Sequence, residues 1–164
     1  MTIKAIVRIV KDLDGLGWRQ LRSRLLEAEH RHVNVGFPAG QEHKDEDGKH
    51  SKYTVAQIAA VHEFGAPAAG IPERPFMRTA LQVGRQKFIQ LNRQNLLAMV
   101  RGGMTAEQAL GQLGAMAQGE VQREIAQGTF APLKTETIKR KGSDRPLIDT
   151  GQMRQSVTWE ITDD

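Results

Sequence analysis

Cysteine is absent from the 164 residues of this chain. Disulfide bonds, zinc–thiolate sites and thiol catalysis are therefore excluded. The absence is compatible with a protein that works in a reducing cytoplasm.

Long apolar runs are absent as well. No stretch approaches the roughly 20 residues that an apolar helix needs to cross a bilayer. The N-terminal segment 1–10 carries Lys4 and Arg8 inside its apolar stretch, whereas a signal peptide keeps its charges in front of an uninterrupted apolar segment. We therefore expect a soluble protein that is not secreted.

Aromatic residues are scarce, at 5% of the chain, so a core must be built mainly from Leu, Ile, Val, Ala and Met. The formal net charge is +4, and residues of both signs are mixed along the chain. A nucleic-acid-binding protein usually concentrates its basic residues on one face or in one run. The composition therefore predicts a single domain over residues 1–164 and argues against sequence-specific DNA recognition.

The apolar pattern predicts an α+β fold. Residues alternate in polarity at 3–10, 32–37 and 156–162, which indicates three strands of a small antiparallel sheet. Apolar residues recur at helical spacing at 15–31 and, over the longest stretch, at 76–101. We expect the 76–101 helix to pack across the sheet.

Two capping boxes mark the starts of further helices. Thr54 and Thr105 are each followed three residues later by Gln, the pattern in which the two side chains satisfy each other's backbone N–H groups. The first helix should end at Gly65 and the second at Gly128. Since Gly102-Gly103 separates the second from the long helix before it, the two should form a helical hairpin.

Three segments lack a periodic apolar pattern. Residues 40–51 form a polar run of mixed charge, which predicts a mobile loop. Residues 66–75 contain three prolines, which predict an extended segment outside any regular element. Residues 129–148 resemble a loop, and the basic run 139–141 is expected to be solvated or, alternatively, to contact DNA or an acidic partner.

Motifs for catalysis or metal binding are incomplete. His62-Glu63 begins a zinc-protease pattern, but the second histidine that this pattern needs would fall at Ala66. The alternative is a hydrogen-bonded pair at a helix end, with His62 near the favourable C-terminal dipole. Neither a glycine-rich phosphate loop nor a Gly-x-Ser-x-Gly elbow is present. The sequence therefore predicts no enzyme, no metal and no cofactor.

Three segments together resemble a known family. The first, 55–65, ends in His-Glu-Phe-Gly; the second, 70–78, contains Ile-Pro-Glu-Arg-Pro-Phe; and the third, 145–156, contains Pro-Leu-Ile-Asp-Thr-Gly. Their order is similar to that in the phage virion-morphogenesis proteins, a group that includes head–tail connector and tail-completion (neck) subunits. The matching stretches cover about a fifth of the chain. The long Gln-rich helical region and the polar 40–51 loop depart from the family pattern.

The resemblance implies a structural protein of a tailed bacteriophage or prophage. Such subunits are small α+β proteins that form homo-oligomeric rings at the portal–tail junction, without catalysis, cofactor or membrane contact. The implied location is the virion, assembled in the cytoplasm of the host bacterium. The implied partners are head-connector and tail-tube or terminator proteins, and DNA would pass through the ring without sequence-specific recognition.

The motif residues have two interpretations each. Arg74 lies between two prolines, so its backbone should be extended. The Arg74 guanidinium could then bind a carboxylate of a neighbouring subunit, and the Phe76 ring could bury itself in the same interface. Alternatively, both act inside the chain. The segment Asp149-Thr150-Gly151 could likewise be an N-cap turn, which we favour, or part of an interface. The candidate interface residues are His62, Glu63, Phe64, Gly65, Pro72, Arg74, Pro75, Phe76, Asp149, Thr150 and Gly151.

Two other classes of function remain open. The chain could be a DNA- or protein-binding regulatory module of a prophage, or an uncharacterised hydrolase. A regulator that binds DNA should do so with a steep dependence on salt, whereas a ring-forming subunit should show oligomers and little sequence-specific affinity.

Overall fold

The structure, a computed structural model, describes residues 15–44, 48 and 50–163. It has an α+β fold, as the sequence predicts. The elements, in chain order, are α1 (Gly15–Glu29), β1 (Arg31–Gly36), β2 (Glu42–Lys44), β3 (His50–Thr54), α2 (Val55–Phe64), α3 (Phe76–Val100), α4 (Ala106–Gln127), α5 (Thr135–Lys141), α6 (Gln152–Gln155) and β4 (Thr158–Asp163).

The main sheet pairs β1 with β4 in antiparallel fashion, from Arg31 opposite Asp163 to Gly36 opposite Thr158. Two of the three predicted strands are thus confirmed, and the third, at 3–10, lies outside the described residues. The sheet packs against α4. The prediction that the 76–101 helix covers the sheet is therefore wrong, since α4 lies between that helix and the strands.

The predicted helical hairpin is confirmed. Helix α3 ends at Val100, Gly102 turns the chain with φ +79°, and Thr105 caps α4 through the expected box. Helix α4 is the central element, because it packs on α3 and on both strands of the main sheet. Gly114 allows the close approach of the sheet, since a Cβ atom there would lie 2.5 Å from Cδ2 of Trp159.

The core gathers residues from both halves of the chain. The largest fully buried side chains among the described residues are Val55, Phe76, Val121 and Val157. They belong to one cluster in which the rings of Phe37 and Phe76 meet edge to face at 6.1 Å. This cluster joins α2, the start of α3, the end of α4 and the segment before β4 into one packed unit.

The expected loop over 40–51 is partly a β-hairpin. Strand β2 pairs with β3, with Glu42 opposite Thr54 and Lys44 opposite His50. The prediction of a loop is wrong at these residues because both strands are hydrophilic and largely exposed, so they lack the alternation that marks a half-buried strand. Mobility of the segment stays a prediction.

Two further segments are more regular than predicted. The 66–75 segment begins with a 3₁₀ turn at Pro67–Ala69, closed by a bridge between Ala66 and Ile71. Proline is tolerated there because the first residues of a helix need no N–H donor. The 129–148 segment contains α5, a short helix that Gly142 ends at φ +66°. Its seven residues are too few to display a helical period.

Candidate functional site

The structure places the first two sequence motifs against each other. The His62–Gly65 motif is the end of α2, and the Pro72–Phe76 motif leads into α3. The backbone N–H of Arg74 donates to the carbonyl oxygen of His62 at 2.7 Å. The two motifs therefore form one junction between α2 and α3.

Glu63 is the centre of this junction. Its side chain is buried, and its carboxylate accepts the backbone N–H groups of Met77 at 2.8 Å and Arg78 at 3.2 Å. The first turn of α3 needs such an acceptor because Pro75, at the N-cap position, makes no side-chain hydrogen bond. A negative charge is also favoured at a helix N-terminus. Glu63 thus caps α3 from another helix.

Arg78 completes the junction from the outside. Its Nε donates to Oε1 of Glu63 at 2.9 Å, and its Nη2 donates to the Glu63 carbonyl at 2.8 Å and to Glu73 at 3.1 Å. Hydrogen bonds to Glu63 and Glu73 raise the pKa of Arg78 above its ordinary value. The guanidinium also lies 5.6 Å from the ring centre of Phe64, a ring that is 68% exposed. Phe64 is therefore the accessible aromatic residue of the motif.

Gly65 makes the junction sterically feasible. Its φ is +73°, a conformation that favours glycine. A Cβ atom at this position would lie 2.9 Å from the backbone nitrogen of Glu73. The glycine therefore serves both the end of α2 and the close passage of the following segment.

Arg74 and Phe76 are internal. Phe76 is completely buried, and Arg74 is 3% exposed. Pro75 has φ −75° and ψ 65°, and the Phe76 N–H donates to the Arg74 carbonyl at 2.7 Å, which is an inverse γ-turn and not extended chain. The burial of both side chains therefore favours the internal alternative, and contact with a neighbouring subunit stays a prediction.

The buried Arg74 guanidinium has no carboxylate partner among the described residues. Its Nε donates to the carbonyl of Ala131 at 3.1 Å, and its Nη2 donates to that of Pro132 at 3.5 Å. Burial lowers the pKa of Arg74. A cationic group without a counter-ion thus ties the start of α3 to the segment that follows α4.

The third motif meets the first at a cavity of about 210 Å³. His62 lines this cavity together with Asp149, Thr150 and Gly151. The Nδ1 atom of His62 is buried and has no hydrogen-bond partner. Burial, followed by the positive charges of Arg74 and Lys141, lowers the pKa of His62 to about 4. The imidazole is therefore neutral at pH 7.

The Asp149–Gly151 turn starts α6, but Asp149 does not cap it. The N-cap residue is Gly151, at φ +78°, with no side-chain cap. The N–H of Gln152 donates to Oγ1 of Thr150 at 3.3 Å, and the Asp149 side chain is exposed. The predicted N-cap turn is present, and its N-cap residue is Gly151.

A second accessible feature is a stripe on α3. Leu81, Ile89 and Leu96 are 42%, 47% and 47% exposed, and at about 3.6 residues per turn they lie within roughly a quarter of the helix circumference. Arg85 and Asn92 share this quarter and are also exposed. We call these five residues the α3 outer face. Leu81 and Ile89 belong to the helical apolar pattern of residues 76–101, but their side chains face away from the core.

Sequence reasoning missed the charge of α3. The helix contains four cationic residues, Arg78, Arg85, Lys87 and Arg93, and no carboxylate. Of these, Arg78 and Lys87 have acidic partners, the latter Glu120 at 2.8 Å. A count of charges by element, in place of the whole-chain count, would have found this bias.

Other classes of site are not supported by the described residues. In the ranges 15–44, 48 and 50–163, no group of three or more His, Asp or Glu side chains is arranged to hold a metal ion. No helix in those ranges combines the length and the apolar character needed to cross a membrane. Comparison of the chain with protein-family models, with curated proteins and with solved structures gave no match in any of the three.

Proposed function

We propose that this chain is a structural subunit of a tailed phage or prophage, a ring-forming neck or tail-completion protein that joins head and tail without catalysing a reaction. The observation that carries the proposal is the α3 outer face, where three large apolar side chains are exposed along one side of a basic helix. Single exposed apolar residues are common, whereas an aligned set favours a contact with another protein.

The charge of α3 favours a particular kind of contact. Pairing of two identical α3 outer faces about a twofold axis would place Arg85 of both copies in one interface, and Arg85 has no carboxylate partner among the described residues. Like charges across an interface are unfavourable. A contact between the α3 face and a different surface of the next copy avoids this repulsion. Such a head-to-tail contact is the kind that closes into a ring.

The sequence motifs support the proposal because they hold the interface helix α3 in place. His-Glu-Phe-Gly and Arg-Pro-Phe, which resemble motifs of virion-morphogenesis proteins, form the junction that caps and positions α3. A ring subunit needs a rigid interface helix, because a preorganised surface loses less entropy on binding. The motif residues would then act on assembly through the placement of α3.

The test is genetic complementation in the phage or prophage that carries this gene. Deletion should leave heads and tails that are separately complete but unjoined in electron micrographs. The wild-type gene should restore joined particles, and the double variant Leu81→Glu/Ile89→Glu should not. Val83→Glu is the matched control, since Val83 is 65% exposed on another side of α3 and its substitution should restore joining.

Two outcomes would overturn the proposal. The first is normal infectious particles after deletion. The second is equal failure of the double variant and Val83→Glu when both purified proteins keep the wild-type melting temperature. Steep, salt-dependent DNA binding by the purified protein, together with normal particles, would favour the prophage regulator instead.

A further inference from the structure

A groove lies where the start of α4 meets β4. Its larger part, a depression of about 590 Å³, is lined by Thr105, Glu107, Gln108, Trp159 and Ile161. A second depression, of about 310 Å³, shares Thr105 and Gln108 with the first and extends the groove to Arg24, Glu27 and Met104. We call the two depressions together the α4–β4 groove.

The floor of the α4–β4 groove is apolar and only partly covered. Trp159 and Ile161 are half-buried, because α4 covers one part of these side chains and the groove leaves another part open. Covering the open part would be favourable by roughly 25 cal/mol for each Å² of apolar surface. Asp163 is the next residue on the same face of β4, since side chains alternate along a strand.

Carboxylates outnumber cations around the groove. The Nε atom of Arg31 donates to Oδ1 of Asp163 at 2.8 Å, and its Nη1 lies 3.7 Å from Oε1 of Glu27. The hydrogen bond to Asp163, followed by the charges of Asp163, Glu27 and Glu107, raises the pKa of Arg31 above its ordinary value. With Arg24 counted as well, three carboxylates and two guanidinium groups leave this region with a net charge of −1.

The α3 outer face has the opposite charge. Ile89 is 47% exposed, and Arg85 and Arg93 lie four residues before and after it, close to the same side of the helix. Neither arginine has a carboxylate partner among the described residues. An apolar side chain flanked by two such cations complements an apolar floor that is flanked by carboxylates.

Helix α4 separates the two surfaces. Its Glu120 side chain binds Lys87 of α3 at 2.8 Å, whereas Gly114 and Gln118 contact β4 and the residue before it. At 100° per residue, these directions differ by roughly 120–160° around α4. One copy can therefore offer its α3 outer face to one neighbour and its groove to another. Two different contact surfaces are what a head-to-tail ring requires.

We propose that the α4–β4 groove receives the α3 outer face of the next copy of this chain. Ile89 packs against Trp159 and Ile161 of that copy, and Arg85 and Arg93 lie toward the carboxylates of its groove. This inference rests on the assembly function proposed above and names the surface that the α3 outer face binds.

The test is chemical cross-linking, which the absence of cysteine from the chain makes specific. The double variant Ile89→Cys/Gln108→Cys carries one thiol on each proposed surface. A short bismaleimide should join it into a ladder of covalent multimers, both in concentrated purified protein and in phage particles assembled with the variant. Val83→Cys/Gln108→Cys is the matched control, with the first thiol on another side of α3, and should give no ladder.

Charge reversal tests the polar part of the contact. In the double-cysteine background, Arg85→Glu and Glu107→Arg should each slow multimer formation by about tenfold or more, because each brings like charges together. The two reversals combined should restore the rate to within about threefold of the background. Arg85→Glu combined with Glu136→Arg, which lies on α5 and outside the described lining, should not restore it.

Three results would overturn the groove as the docking surface. They are the absence of a ladder in both samples, cross-linked dimers of the single variant Ile89→Cys, which would indicate twofold pairing of α3, and failure of the combined reversal in a protein with the melting temperature of the background. Failure of the proposed function is distinguishable. A ladder from purified protein together with normal particles after gene deletion would overturn the function and keep the contact, whereas unjoined heads and tails without a ladder would do the reverse.

Discussion

The carboxylate of Glu63 accepts the backbone N–H of Met77 at 2.8 Å, so the end of α2 holds the first turn of α3. The two residues are 14 positions apart, and the 3₁₀ turn and the prolines between them leave α3 without a cap from its own segment. Helix α3 therefore depends on a neighbouring helix for its start.

Glu63→Ala should destabilise the protein by about 2 kcal/mol, the upper range for loss of an N-cap, because Met77 and Arg78 lose their acceptor. Chemical denaturation measures the change. Glu73→Ala is the control, since it removes the exposed partner of the same arginine and should cost less than about 0.5 kcal/mol. Equal effects of the two substitutions would contradict the capping role.

Phe76→Ala should lower the free energy of unfolding by about 3–5 kcal/mol, as expected when a fully buried ring is truncated. Phe64→Ala, in the same junction but 68% exposed, should cost less than about 1 kcal/mol. Thermal unfolding of the isolated subunit compares them. Wild-type stability of Phe76→Ala would contradict the internal role of Phe76 and favour its contact with a neighbouring subunit.

Substitution by alanine at two glycines of α4 should change the stability of the protein in opposite directions. At Gly119 a Cβ atom meets nothing within 4 Å, so Gly119→Ala should stabilise the protein by about 0.5–1 kcal/mol through helix propensity. At Gly114 the new atom would meet the ring of Trp159 at 2.5 Å, so Gly114→Ala should be destabilising by about 1–3 kcal/mol. Denaturation together with Trp fluorescence measures both. Stabilisation by both substitutions would show that the indole moves away at no cost.

His62 should make stability depend on pH. The pKa of its side chain falls from 6.5 in the unfolded chain to about 4 in the folded one, mainly through burial. Between these values the unfolded state binds a proton that the folded state does not. The free energy of unfolding that the neutral His62 contributes is therefore fully present above pH 6.5. It is lost as pH falls toward 4, by about 3 kcal/mol in all.

The measurement is the unfolding free energy of wild type and His62→Gln across this pH range. Because acidic residues also titrate there, the difference between the two proteins isolates the histidine. The wild-type advantage should shrink as pH falls from 6.5 to 4. Parallel pH profiles would show that His62 titrates normally in the folded protein.

Local patterns were sufficient to predict the three longer helices after residue 54. Thr54 and Thr105 form the capping boxes that their sequence spacing predicts, and the apolar period of α3 extends to within one residue of its end. These signals are local because a helix bonds residues four positions apart. The exposed β2–β3 hairpin and the short α5 escaped prediction because neither has a buried face long enough to impose a period.

The site could be predicted only as a set of motifs. The sequence identifies Glu63, Arg74 and Phe76 as notable, but burial decides their roles, and burial depends on distant segments. The carbonyl of Ala131 receives a hydrogen bond from Arg74 across 57 positions. His62 and Asp149 face one cavity only because α6 folds back beside α2. Contacts between such distant segments cannot be predicted from the spacing of apolar residues within one segment.

The pairing of β1 with β4 also sets an order of events during synthesis. Arg31 binds Asp163 across 132 positions, so the main sheet cannot close until residue 163 has left the ribosome. The contacts between α3 and α4 join neighbouring parts of the chain, so this hairpin can form earlier. A chain cut short before Thr158 would keep the hairpin but leave β1 without its partner strand and Gly114 without the indole of Trp159. Sheet closure thus separates a chain that includes β4 from one cut short before it.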